Sequence, residues 1–185
     1  MSDSKDIEYK NDFYIQLLKK ALPTIVIITG FAILSLWLLP QFRDSKWLSR
    51  SILIFAFIKT FFIIRLSFNQ LMKIIGQSHL LSHILILFGL LITLIIFSFA
   101  LDFTSLQFFD AKNFKVSSEK GMSDFKIFYE HLYFSTITFS SIGYGDIVPT
   151  SVLSKALVML EVGLRFFVLV FGIANINQIR INENK

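Results

Sequence analysis

The sequence predicts an all-α integral membrane protein, with four transmembrane helices and one shorter helix that enters the bilayer without crossing it. Three observations predict this. The 185-residue chain is 54% hydrophobic and only 17% charged, with a mean hydropathy of +0.65. That balance belongs to membrane-embedded chains. Its apolar residues gather into runs close to the ~20 residues a helix needs to span a bilayer. A glycine-bearing loop, Ser141 to Asp146, follows an apolar Thr/Ser-rich stretch and precedes the last long apolar run.

The same composition excludes several classes. One membrane domain uses nearly the whole length, so no soluble ligand-binding domain of ordinary size is expected. With Cys 0 there are neither disulfides nor thiolate metal sites. The net charge of +5 is scattered and forms no nucleic-acid patch. No nucleophile–base pair or metal cluster stands out, so neither an enzyme nor a resident cofactor is expected.

Residues 1–21 are polar, then amphipathic: Phe13, Tyr14, Leu17, Leu18 and Ala21 recur at helical spacing opposite Lys19 and Lys20. This reads as an interfacial helix, with no secretory signal. Residues 22–68 hold two spans. The first, about Leu22 to Leu39, lies between Pro23 and Pro40, and Trp47 follows in a short polar loop at the interface. The second, about Ser51 to Phe68, carries Lys59 at mid-depth. Arg50, Lys59 and Arg65 share a three-residue lattice whose other places, Leu53, Ala56 and Phe62, are neutral. No acid occurs between Asp44 and Asp102, so the countercharges of a voltage sensor are missing from this stretch. Arg50 and Arg65 are read as snorkelling, and Lys59 as meeting a carbonyl or a cavity.

Residues 69–79 form a polar connection. His79 and His83 lie one helical turn apart, a spacing open to a metal or pH site but equally given by a shared face. The third span, about Leu80 to Leu101, is uncharged after His83, and a loop of mixed charge, Asp102 to Lys126, follows. Ile127 to Ser140 reads as the short helix, Val152 to Ile176 as the last span, and residues 179–185 as a tail.

Ser141-Ile142-Gly143-Tyr144-Gly145-Asp146 resembles the pore signature of potassium channels, T-x-G-Y-G-D, with Ser141 in the threonine place. Pore-lining carbonyls require alternating ordinary and left-handed dihedrals, which Gly143 and Gly145 reach without steric cost. The resemblance covers roughly residues 80–178 and is nearest to small bacterial ion-channel proteins with two spans ahead of the pore module. It implies that residues 69–79 are an inner-surface linker, and that 80–178 form a pore domain of outer helix, turret, pore helix, filter and inner helix. It implies K+ as permeant ion, held at Ser141, Ile142, Gly143 and Tyr144, with Gly145 completing the filter and Asp146 placing negative charge at the outer mouth. Tyr144 would wedge outward against the short helix, and Tyr133, Phe134 and Thr138 would support the filter from the pore helix. A homotetramer in the lipid of the cell membrane follows, since each chain carries one filter loop. Charge on the two sides is too balanced to orient the chain, but an even number of spans with Asp146 facing outward, as the resemblance implies, makes it a multi-pass protein with both termini cytoplasmic.

Two departures matter. Ser141 keeps the hydroxyl and loses a methyl. Where many members have a hinge glycine this chain has Arg165, four residues after Glu161. The spacing predicts that Glu161 and Arg165 pair, turned away from the pore axis. The competing functions are a potassium-uptake transporter, which needs four pore repeats in one chain, and a non-conducting or non-selective subunit that keeps the pore fold. Arg165 is the feature favouring the latter.

Overall fold

The computed structural model describes residues 46–75, 81–116 and 123–183, together with isolated helical positions between 19 and 34. The expected interfacial helix, most of the first span, and the His79 and His83 side chains lie outside the described residues. Four helices organise the rest: α1 (Lys46–Ile75), α2 (Leu81–Phe109), α3 (Asp124–Phe139) and α4 (Val152–Glu183). A short 3-10 turn, Ala111–Asn113, leads into strand β1 (Phe114–Val116), which pairs antiparallel with β2 (Ile147–Pro149).

α2 is the central pillar, with α1, α3 and α4 all packed against it. Its segment Phe88–Phe109, of mean hydropathy 2.0, is the one helical stretch among the described residues long and apolar enough to cross a membrane. A helix suits that solvent because it satisfies its own backbone polar groups. Its hydroxyls do the same: Thr93, Thr104 and Ser105 donate to the carbonyls of Gly89, Ala100 and Leu101 one turn back.

α1 turns Ile52, Ala56, Lys59, Thr60 and Ile63 inward at helical spacing. Its opposite face is no more polar, since Ile54, Phe57 and Phe61 are all exposed. A helix apolar on its outer as well as its inner face belongs in lipid. Where α2 meets α3 the core is aromatic. Phe103 lies 5.1 Å from Phe134 and 5.7 Å from Phe114 in edge-on contacts, and Phe114 lies 5.1 Å from His131. Such pairs add to the burial of their area.

Several expectations are corrected. α1 continues as helix to Ile75, through most of the stretch read as a linker. α2 does not stop at Leu101. It runs to Phe109 and buries Asp102 at 2% exposure, so the loop expected from Asp102 begins at Asp110. Asp102 also supplies the missing countercharge: Lys59 Nζ lies 2.5 Å from its Oδ1, the salt bridge found among the described residues. Lys59 therefore meets an acid 43 positions away rather than a carbonyl or a cavity. α4 runs to Glu183, into the stretch read as a tail. The β1–β2 ribbon was not expected, because strands this short carry no periodic signal.

Candidate functional site

α3 aims the loop. Ser123 caps its first turn by accepting from the Lys126 N–H, and Asp124 adds negative charge at the helix's positive end. At the other end the chain leaves gradually. The N–H groups of Ser140, Ser141 and Ile142 donate to the carbonyls of Thr136, Thr138 and Ile137 at 2.9–3.0 Å. The loop thus enters with its backbone tied to the helix end.

Beyond that point positive φ recurs at every second residue: +59° at Ser141, +59° at Gly143 and +80° at Gly145. A Cβ added to either glycine would meet nothing within 4 Å, so glycine is required by backbone conformation and not by space. Ser141 is the one non-glycine residue with positive φ among the described residues. β-branched side chains resist that region most strongly, so serine in the threonine place suits the backbone.

The exit is held from outside. Val116 faces Ile147, Lys115 faces Val148 and Phe114 faces Pro149 across the ribbon. Thr150 donates its N–H to Asn113 O at 2.9 Å and its hydroxyl to Lys112 O. Buried Asn113 donates to Leu106 O at 2.8 Å and to Asp110 O at 2.9 Å, fixing the ribbon to the end of α2. Asp146 accepts from Ile147 N–H at 3.0 Å and is hydrogen-bonded to the Tyr133 phenol on α3. α4 then starts with a reciprocal cap, in which Ser154 N–H donates to Ser151 Oγ and Ser151 N–H to Ser154 Oγ, each at 3.1 Å.

The remaining expected site residues divide. Phe134 is buried on the aromatic core, and the Thr138 carbonyl receives the Ser141 N–H. Ile142 is 53% and Tyr144 is 70% exposed, so the wedge expected of Tyr144 is not built within one chain. The expected Glu161–Arg165 pair is not formed. Glu161 is fully buried and bonds to Ser135 of α3 at 2.5 Å. Arg165 instead donates to the Ser141 hydroxyl and lies 5.2 Å from the Phe166 ring centre. Each side chain has a partner from α3 or its loop that helical spacing alone does not reveal.

The sequence reading missed Asp102, Ser135 and His131. An acid within an apolar window was the available signal for Asp102, since such a group needs a buried cation. His131, 1% exposed, sits with Nδ1 2.9 Å from Ile127 O. Among the described residues no group of His, Asp and Glu is placed to hold a metal.

A family model described as ion channel matches residues 85–180, from the first turns of α2 to near the end of α4. No curated protein and no solved structure matches the chain.

Proposed function

The chain belongs to the ion channel family, and from that premise we propose that it is a potassium-selective channel in which four copies surround one pore. K+ would pass through the carbonyl oxygens of residues 141–145, with the Ser141 hydroxyls innermost and Asp146 at the outer mouth. The observation that carries this reading is the alternation of positive φ at 141, 143 and 145. Alternating left-handed and ordinary dihedrals are what a loop needs to aim successive carbonyls at one axis, as replacing an ion's water shell requires. In this reading α2 is the outer helix, α4 the inner helix, and α1 with the preceding apolar run adds two spans. Both termini are then cytoplasmic, and the membrane is the cell membrane.

The deciding measurement is flux and reversal potential in liposomes bearing a potassium gradient. A reversal potential near the potassium value in mixed K+ and Na+ is expected; equal permeability to both ions would remove the selective reading.

A second reading has its own observation. The Arg165 guanidinium rests on the Ser141 hydroxyl, an oxygen that the inner end of the filter would offer to an ion. Four such cations at one pore would oppose K+ entry, leaving a subunit that keeps the pore fold without conducting. Flux through the wild-type chain against that through Arg165→Leu separates the two. A silent wild type with a conducting variant establishes the second reading, and comparable conduction by both removes it.

A further inference from the structure

Ser135 is fully buried where α2, α3 and α4 meet. Its Oγ lies 2.9 Å from the Ile96 carbonyl oxygen of α2 and 2.5 Å from Oε1 of Glu161 on α4. A serine hydroxyl carries one proton and a backbone carbonyl carries none. Two oxygen–oxygen contacts at hydrogen-bonding distance need two protons, and the hydroxyl supplies one of them. For both to be full two-centre bonds, the second comes from the carboxyl.

The surroundings agree. Glu161 is 0% exposed, and Oε2 has no partner. Lys59 is engaged by Asp102, Arg165 by Ser141, and His131 Nδ1 by Ile127 O. Asp102 on α2 is an acid already held by Lys59, so that pair offers Glu161 no free cation. An ionised Glu161 would thus be a buried anion with no cation. It would also leave the Ser135 and Ile96 oxygens 2.9 Å apart with no hydrogen between them.

We propose that Glu161 is held as a neutral carboxylic acid that donates its proton to Ser135 Oγ, while Ser135 donates its own to the Ile96 carbonyl. This two-bond relay makes Glu161 a positioning residue, joining the inner helix, the filter-bearing helix and the central pillar at one point. The relay depends on neither ion selectivity nor conduction.

The test compares full-length wild type, Glu161→Gln and Glu161→Leu in lipid. A glutamine amide donates a hydrogen as the acid does and carries no charge; leucine donates nothing. The infrared difference spectrum of wild type minus Glu161→Gln at neutral pH should show a protonated-carboxyl C=O band that moves in D2O. Ser135→Ala should shift this band by removing the acid's acceptor, a response a merely space-filling side chain would not give. In liposomes Glu161→Gln should retain the wild-type flux and ion preference and lack any alkaline loss that the wild type shows, while Glu161→Leu loses the flux or the folded assembly. Absence of the band, or glutamine failing wherever leucine fails, would overturn the proposal. The infrared arm needs no conduction, so it decides the protonation of Glu161 even in a chain that passes no ions.

Discussion

Ser141 carries the cost of a left-handed backbone without glycine's freedom, of the order of 1–2 kcal/mol. Threonine, usual at this place in potassium channels, would add a branch where branching is least tolerated. Ser141→Thr should therefore lower rather than raise thermal stability, by about 1 kcal/mol, read as a melting shift in detergent. An unchanged or higher melting temperature would mean the assembled filter has a different dihedral here. Tyr144→Asp tests the same loop from its outer side. It removes the ring that four copies would pack and should bring K+ and Na+ permeabilities closer together. The left-handed positions at Gly143 and Gly145 were legible in the sequence because their cause is local: glycines two apart are visible without knowing what surrounds them. The Glu161–Arg165 pair failed for the opposite reason. Spacing of four on a helix grants proximity, but Ser135 and Ser141 lie across a helix boundary that spacing cannot see.

Among elements, the tie between α1 and α2 is the most consequential. Lys59 and Asp102 bury two charges against each other at 2.5 Å. Removing either partner strands the other and typically costs about 3–5 kcal/mol, whereas replacing both with apolar residues is often neutral. Lys59→Met and Asp102→Leu should each destabilise the protein more than the double change does, measured by melting of the purified assembly. Additive losses would show that the pair is not the unit. The same pairing argues against voltage sensing by Lys59, since a clamped charge does not travel. One charge crossing the whole field is worth about 2.3 kcal/mol per 100 mV, so only a shallow voltage dependence is expected from current–voltage recordings. The four described helices were legible, because apolar runs of this length have few other solutions. The end of α2 was not: a charge in an apolar window reads as a stop until its partner, 43 residues earlier, is known.

At the scale of the molecule, one chain leaves large apolar side chains of the loop and α4 exposed. Tyr144 is 70%, Met159 74% and Phe166 56% exposed, and all three lie on the loop or on α4 beside it. Closing these surfaces with further copies around an axis is the economical arrangement, since identical interfaces that close leave none unpaired. Mass measurement in detergent should find a tetramer; monomers and dimers alone would contradict a shared pore. The proposed number of copies rests on the motif alone, because nothing in a single chain's composition counts its partners.

The β1–β2 ribbon gives the exit of the loop mechanical reach. Asn113 bonds the end of α2, and its carbonyl takes the N–H of Thr150, a few residues beyond Asp146. Val116 is therefore joined to the loop's exit by a short lever of paired backbone. A displacement of Val116 would be passed across the ribbon to Ile147, two residues beyond Gly145. Asn113→Ala would cut the lever at its fulcrum.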